Sequence, residues 1–342
     1  MRRRWRSRYR AVAAVTAKLR VFVSQPIAPR ALERLRSIAN VKINADSSKI
    51  ITKRRLIAAV KKCDILFSLL HDRIDCTVLA ANAKLHAVCS MSITPDNIDV
   101  AEATKRGIPV TVVPPIVAEA TADIHFGLML AVARRMIEGD KMVRSGKFPG
   151  SQSNHLAGAA VFGKTLGVVG VGRIGQATAR RARGFGMRIL YWGPRRKYGV
   201  ERELGIEYVT LDRLLAESDF VSLHPALNPE TRHMISDKQF ALMKPTAFII
   251  NTARGAIIDE KALVRALKKK QIAGAGLDVF EHEPKLPAAL KTMKNVVLTP
   301  HLGSAVIEVR DQMANIVVDN IQALVDGRAP PNCVNPQVLA QT

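Results

Sequence analysis

The sequence predicts an α/β protein made of two doubly wound parallel-sheet domains with a ligand cleft between them. Its 342 residues correspond to about two domains at roughly 150 residues each. Short β-branched apolar runs alternate with amphipathic segments, which is typical of parallel sheets covered by helices on both faces. A connection rich in Gly, Ser and Asn, residues 145–163, separates two such series. Each series therefore predicts one domain.

The strands follow from apolar runs bounded by polar or turn residues. In the first series they are Leu19–Ser24, Val41–Asn44, Asp64–Leu70, His86–Cys89 and Pro109–Val113. In the second series they are Thr165–Val169, Met187–Tyr191, Asp219–Leu223, Ala247–Asn251, Gly276–Val279 and Val296–Thr299. Helical patterns fill the gaps, at Pro29–Ala39 and Lys53–Lys62 for example, and one long apolar helix is predicted over Val117–Met142. The capping-box spacing of Ser236 and Gln239 predicts a helix start.

The charge is strongly basic, with 52 Lys and Arg against 29 Asp and Glu, a net charge of +23. Eight basic side chains and no acid fall within residues 2–20. Such a start is typical of an organelle transit peptide or of a disordered extension, and nucleic-acid binding through this segment is a third hypothesis. Aromatic residues make up only 5% of the chain, which disfavours base stacking and makes nucleic acid an unlikely partner.

The cysteines and the apolar runs indicate where the protein works. Four cysteines form no CxxC pair and have no His at zinc-ligand spacing, so no metal site is predicted. A reduced, cytoplasmic location fits them best. No apolar run approaches the roughly 20 residues of a membrane-spanning helix, so we expect a soluble protein and no membrane partner.

A glycine-rich turn follows the strand Leu166–Val169 and precedes a predicted helix, Gln176–Arg183. In this turn, Gly170 permits a tight bend, Gly172 lets a pyrophosphate approach the backbone, and Gly175 allows close packing of helix on strand. The N-terminus of the helix offers unpaired N–H groups to the anion. The pattern therefore predicts a dinucleotide-binding loop.

The next strand ends in a basic turn, Arg195-Arg196-Lys197, where an NAD-binding site would carry Asp or Glu. A carboxylate would repel a ribose 2′-phosphate, whereas Arg and Lys bind one. The turn therefore predicts NADP(H) as the preferred cofactor, with NAD(H) as a possible second one. A solvated basic turn is the alternative interpretation.

Three later strand ends carry Arg254, a carboxylate and His301, which suit the reduction of a 2-oxo acid. A guanidinium can bind a carboxylate through two hydrogen bonds. A histidine can protonate the nascent alkoxide, and a neighbouring carboxylate would keep that histidine protonated.

Four motifs resemble the D-isomer-specific 2-hydroxyacid dehydrogenases over residues 19–337. They are GVGRIG (170–175), NTARGAIIDEKAL (251–263), GAGLDVFEHEP (274–284) and TPHLGSA (299–305). The resemblance implies a catalytic trio of Arg254, Glu283 and His301, with Glu281 and His282 not the matching positions. Arg254 would bind the substrate, His301 would be the general acid in reduction and base in oxidation, and Glu283 would raise the basicity of His301.

The same resemblance implies the architecture and the remaining contacts. Residues 1–17 would be an extension, 18–115 with 304–342 a flavodoxin-like substrate domain, and 116–303 a Rossmann cofactor domain. The protein would be a homodimer whose dimerising arm is the 145–163 connection. Besides the three glycines and the basic turn, the implied cofactor contacts are Arg173, Ile174, Thr252, Ala253, Asp278 and Gly303. Asp278 matches the residue that contacts the nicotinamide carboxamide.

Within the family, the stretches VRSGKF (143–148), RARGFGMRILYWGPRRK (181–197) and LTPHLGSA (298–305) are most similar to the glyoxylate/hydroxypyruvate reductase branch. HLGSAVIEVR also resembles the phosphite dehydrogenase branch, which keeps an altered substrate open. A dinucleotide-sensing, non-catalytic interaction protein of the family's corepressor type is a further alternative.

Two departures from the family pattern affect loops. Ser92-Ile93-Thr94-Pro95 replaces a Gly-containing loop whose backbone N–H groups bind the substrate carboxylate. Backbone donors at Ile93 and Thr94 remain as the expected substrate ligands. Their β-branched side chains would strain a loop that needs positive φ, which predicts changed loop geometry or impaired carboxylate binding. The second departure, Pro225-Ala226 instead of Val-Pro, places a proline beside the cofactor site.

Overall fold

The computed structural model describes residues 18–46 and 48–340. It contains a five-stranded and a seven-stranded sheet, both parallel throughout. By their internal packing the described residues form two compact units, one up to Ile116 and again from Val306, the other Val117–Ala305. The prediction of two doubly wound parallel-sheet domains is confirmed, whereas the roles assigned to them stay predictions. The basic extension at residues 1–17 lies outside the described residues.

The first unit is built on a sheet with the strand order β2-β1-β3-β4-β5, which is the flavodoxin-like order. Its strands are β1 (Arg20–Val23), β2 (Asn40–Ile43), β3 (Ile65–Ser68), β4 (Ala87–Ser90) and β5 (Val110–Thr111). Its first helices are α1 (Pro29–Ile38), α2 (Lys53–Val60), α3 (Cys76–Leu79) and α4 (Val100–Lys105). Every residue of β3 and β4 is buried, because helices cover both faces of the sheet.

The second unit has the strand order β12-β11-β10-β9-β6-β7-β8, in which the three strands β8, β7 and β6 are followed outward by β9 to β12 as in the Rossmann order. Its strands are β6 (Thr165–Val169), β7 (Arg188–Trp192), β8 (Glu207–Tyr208), β9 (Phe220–Leu223), β10 (Phe248–Asn251), β11 (Gly274–Leu277) and β12 (Val296–Leu298).

The helices of the second unit surround this sheet. They are α5 (Ala118–Ala133), α6 (Met136–Arg144), α7 (Arg173–Gly184), α8 (Tyr198–Leu204), α9 (Leu211–Glu217), α10 (Asp237–Leu242), α11 (Glu260–Lys268) and α12 (Ala288–Thr292). The chain then returns to the first unit with α13 (Ile307–Val325) and α14 (Gln337–Ala340). In the part of the chain that the structure describes, no helix is long and apolar enough to cross a membrane.

Three element predictions need correction. The long helix expected over Val117–Met142 is two helices, because Arg135 takes a left-handed backbone (φ 52°) and ends the first. The helix after the glycine-rich turn begins at Arg173, three residues early, so Gly175 lies in its first turn. Strand β11 starts at Gly274, where a Cβ would lie 2.5 Å from the carbonyl oxygen of Asn295, and close packing rather than β propensity selects glycine.

Candidate active site

The candidate site residues of the second unit converge on one edge of its sheet. Gly170 follows β6, Thr252 and Arg254 follow β10, Asp278 follows β11 and His301 lies three residues beyond β12. Since all seven strands are parallel, these residues lie together at the carboxyl edge, where ligands of open α/β sheets bind.

The glycine-rich turn is shaped for an anion. Gly170 has φ +91°, and a Cβ there would lie 2.9 Å from the nitrogen of Pro225. A Cβ on Gly175 would lie 2.3 Å from the carbonyl oxygen of Gly170, so neither position has room for a side chain. Gly172, by contrast, faces open space, and no side chain caps the helix that it begins. The uncapped N–H groups and the open face of Gly172 fit a dinucleotide pyrophosphate.

The three cationic side chains of the basic turn have different surroundings. Arg196 donates to Glu201 at 2.9 Å, and Lys197 Nζ donates to the carbonyl of Val171 in the glycine-rich turn at 3.1 Å. Tyr191 also donates to Glu201, at 2.5 Å, and its hydroxyl accepts from the backbone N–H of Lys197. Arg195 is exposed and makes no hydrogen bond or ion pair within the described residues. Arg196 and Lys197 therefore hold the turn in place, whereas Arg195 is exposed to solvent.

Arg254 is positioned by its own backbone loop. The side chain of Asn251 accepts from the N–H of Ala253 and donates to the carbonyl of Arg254, both at 3.0 Å. At Gly255, a Cβ would lie 1.9 Å from the carbonyl carbon of Phe280, so the two loops touch through backbone alone. The Arg254 guanidinium donates to the carbonyl of Ala253 at 2.7 Å, and its planar N–H donors are of the kind that bind a carboxylate through two hydrogen bonds.

His301 and Glu283 form the hydrogen-bonded pair that the resemblance implied. Nδ1 of His301 lies 2.9 Å from Oε2 of Glu283, and the other carboxylate oxygen accepts from the N–H of Phe280 at 2.9 Å. Both side chains are largely buried, at 21% and 17% exposed. With Nδ1 bound to the carboxylate, Nε2 is the nitrogen that can carry a proton to a substrate.

Asp278 organises the loop that carries His301. Its fully buried carboxylate accepts from the N–H groups of Leu302 (2.7 Å) and Gly303 (2.9 Å) and from the hydroxyl of Thr299 (2.6 Å). The loop needs this support because His301 has φ 56°, a left-handed backbone that is costly for a residue other than glycine. Contact of Asp278 with a carboxamide stays a prediction.

The substrate loop predicted at Ile93 and Thr94 follows β4 in the first unit. Neither residue has a positive φ, so their β-branched side chains do not strain the backbone of this loop. The loop instead adopts backbone that β-branched residues accept, and Ser92 Oγ donates to the carbonyl of Thr94 at 2.7 Å. Substrate binding by the two backbone N–H groups remains a prediction.

Sequence reasoning missed a buried polar chain that ends at Thr252. Thr252 Oγ1 lies 3.0 Å from Nδ1 of His125, whose Nε2 lies 2.7 Å from Ser222 Oγ. The same hydroxyl lies 2.6 Å from Nε2 of His224. The sequence offers only a weak signal for this chain, a histidine interrupting the apolar helix α5, because its members come from three separate elements.

A glycine-rich turn that opens a helix and a hydrogen-bonded His–Glu pair on one edge of a Rossmann sheet are typical of a nicotinamide-dinucleotide-dependent oxidoreductase. The family model described as D-isomer specific 2-hydroxyacid dehydrogenase, NAD binding domain, matches residues 126–303. The chain belongs to the D-isomer-specific 2-hydroxyacid dehydrogenase family, and it is an NAD(P)-dependent oxidoreductase.

Relatives match over nearly the whole chain. A glyoxylate reductase of Korarchaeum cryptofilum is 49% identical over 324 residues, covering 94% of this chain and 97% of the relative. The crystal structure of TT0316 protein from Thermus thermophilus superposes with a TM-score of 0.86 at 40% identity, covering 92% and 100%. An NADPH-dependent glyoxylate/hydroxypyruvate reductase from Sinorhizobium meliloti, solved with NADP and malonate, gives a TM-score of 0.80 at 31% identity, covering 93% and 97%.

Proposed function

We propose that this protein reduces a small 2-oxo acid of the glyoxylate or hydroxypyruvate type to the D-2-hydroxy acid, with NADP(H) as the preferred cofactor. The single observation that carries the proposal is the His301–Glu283 hydrogen bond on the sheet edge that also holds the phosphate turn and Arg254. Curated relatives of similar length that are named glyoxylate reductase support the substrate class.

Three side chains divide the chemistry between them. The Arg254 guanidinium binds the substrate carboxylate and polarises the adjacent carbonyl. When bound, the reduced nicotinamide supplies the hydride. His301 Nε2 gives its proton to the oxygen as negative charge develops there, and Glu283 stabilises the imidazolium before the transfer. In the oxidative direction the same nitrogen takes the hydroxyl proton back.

The cofactor preference rests on the basic turn. A 2′-phosphate needs cations that are not already neutralised, and Arg195 is exposed without an ion pair in the described chain. Lys197 lies against the glycine-rich turn and adds positive charge there. The absence of Asp or Glu immediately after β7 removes the repulsion that an NAD-type carboxylate would exert. The NADP complex of the Sinorhizobium relative supports the same assignment.

A homodimer is the proposed assembly. Helix α6 buries none of its residues, and apolar side chains on it and on the following connection are exposed, among them Met136, Val143, Phe148 and Phe162. Exposed apolar side chains concentrated in one segment are typical of an interface. Light scattering that reports the mass of a monomer at micromolar concentration would reject this assembly.

A panel of 2-oxo acids tests the proposed activity. The purified full-length chain is incubated with NADPH, and in parallel with NADH, together with glyoxylate, hydroxypyruvate or pyruvate. With glyoxylate or hydroxypyruvate present, the protein should oxidise NADPH faster than NADH. Arg254→Ala should abolish turnover. If the wild-type protein oxidises neither cofactor faster than Arg254→Ala, the proposal fails. Dinucleotide binding without turnover would favour the corepressor-type alternative, and NAD⁺ reduction by phosphite would favour the phosphite branch.

A further inference from the structure

The buried chain of Thr252, His125, Ser222 and His224 links two strand ends of the cofactor-binding edge. His125 and Ser222 have no exposed surface, and Thr252 is 6% exposed. The three contacts, at 3.0, 2.7 and 2.6 Å, are all within hydrogen-bonding distance. The chain is therefore continuous from His224, after β9, to Thr252, after β10.

Both histidines are neutral at physiological pH. Burial lowers the pKa of His125 well below its ordinary value, with the neighbouring ring of His224 as a second cause. Burial also lowers the pKa of His224 to about 3. A neutral imidazole carries one N–H and one bare nitrogen, so each ring can donate a hydrogen bond at one nitrogen and accept one at the other.

The direction is set at the far end, by Nδ1 of His224. This atom is buried and has no hydrogen-bond partner among the described residues. A bare nitrogen there leaves an acceptor unsatisfied, whereas a protonated one would leave a buried N–H donor unsatisfied, and orphaned buried N–H groups are the rarer of the two. His224 therefore carries its proton on Nε2 and donates to Ser222.

The remaining protons follow in order. Ser222 accepts from His224 and so donates its own hydrogen to Nε2 of His125. The proton of His125 is then on Nδ1, where it donates to Thr252 Oγ1. His125 is the sole hydrogen-bond partner of that oxygen within the described chain. The hydroxyl hydrogen of Thr252 is thus left to donate elsewhere.

We propose that the His224–Ser222–His125 relay holds Thr252 as a hydrogen-bond donor to an oxygen of the nicotinamide nucleoside. Thr252 follows β10 two residues before Arg254, whereas the phosphate turn follows β6, two strands away in the sheet. The nicotinamide half of a dinucleotide extends from the glycine-rich turn after β6 toward the end of β10, where Thr252 lies. The assignment of the ligand rests on the proposed function, and the three relay residues act by positioning.

Dinucleotide binding without substrate tests the role. Thr252→Val, which keeps the shape and removes the donor, should weaken NADPH binding about tenfold, the effect of one lost hydrogen bond. Thr252→Ser should retain wild-type affinity. Ser222→Ala should weaken binding similarly, and the double variant no further, because both changes interrupt one path. Adenosine 2′,5′-bisphosphate, which lacks the nicotinamide nucleoside, should bind all variants equally. Effects of Ser222→Ala and Thr252→Val that multiply, or an equal loss for the bisphosphate, would overturn the proposal.

The proton order is measurable in the unmodified protein, so it does not depend on variants that fold. Long-range ¹H–¹⁵N spectra of histidine-labelled protein should show His125 protonated at Nδ1 and His224 at Nε2. The opposite tautomers would overturn the relay. Wild-type protein that binds neither NADPH nor NADH would reject the proposed function and the ligand, while these spectra would still decide the proton order.

Discussion

A hydrogen bond between Nδ1 of His301 and Oε2 of Glu283, 2.9 Å apart, orients the imidazole ring. The N–H groups of the two residues after His301 donate to Asp278, which holds the backbone of His301 in its left-handed conformation. The imidazole is thus fixed at the ring by one carboxylate and at the backbone by another. This arrangement presents Nε2 in one direction, as a general acid requires.

Glu283→Gln should lower kcat for 2-oxo-acid reduction about 10²-fold, the lower range for general acid–base catalysis, with little change in the Kd of NADPH. The amide keeps the size of the side chain but loses the charge that stabilises the imidazolium. Glu281→Gln is the matched control, because that carboxylate contacts His233 at 2.7 Å instead. Equal losses in both variants would remove Glu283 from the proton-transfer step.

Gly172→Ala should weaken dinucleotide binding without lowering stability, whereas Gly175→Ala should lower stability. The added methyl at Gly172 enters open space, so the variant should fold normally and bind dinucleotide at least tenfold more weakly. At Gly175 the methyl meets the Gly170 carbonyl at 2.3 Å, and overpacking should cost about 2 kcal/mol of unfolding free energy. Thermal melts and NADPH fluorescence titration measure the two effects. Normal NADPH affinity in Gly172→Ala would contradict the phosphate-binding role.

Arg195→Gln should raise KM for NADPH about tenfold, the loss of one charge-assisted hydrogen bond, and leave KM for NADH unchanged. Arg196→Gln should have a smaller effect on the ratio of the KM for NADPH to the KM for NADH, because Glu201 already binds the Arg196 guanidinium. Steady-state kinetics with both cofactors check this. An unchanged NADPH to NADH ratio in both variants would show that the basic turn does not recognise the 2′-phosphate.

Stability should fall as the pH is lowered from about 7.5 to 5. The pKa of His224 is about 3 in the folded chain and about 6.5 when unfolded. Below pH 6.5 the unfolded chain therefore takes up a proton that the folded chain does not. The titration of His224 therefore leaves the free energy of unfolding unchanged above pH 6.5 and lowers it by about 2 kcal/mol at pH 5. Denaturant unfolding of wild type and His224→Gln at each pH isolates the contribution. Identical slopes against pH would contradict the buried neutral state.

Much of the fold was predictable because buried parallel strands leave strong local signals. Completely buried strands, such as β3 and β9, appear as short runs that are apolar except for one serine each. The two-residue edge strand β8 has no such run and was missed. The break between α5 and α6 was also missed, because the left-handed residue there is Arg135 rather than glycine.

The site was predictable where it rests on contiguous motifs, as at Gly170 and around Arg254. It was not predictable where distant residues meet only in the fold. His125 and Ser222 are 97 residues apart, and no local pattern signals their contact. The division of labour in the basic turn depends on Glu201 and the carbonyl of Val171, which select Arg196 and Lys197 and leave Arg195.

His301→Asn tests most directly whether His301 protonates a 2-oxo acid during NADPH oxidation. Asparagine tolerates the left-handed backbone and can still donate to Glu283, but it lacks the Nε2 acid. The decisive measurement is kcat with glyoxylate and NADPH, alongside the Kd of NADPH. We predict a fall in kcat of about 10²- to 10⁴-fold with Kd unchanged. Turnover of glyoxylate by His301→Asn at the wild-type rate would contradict the account.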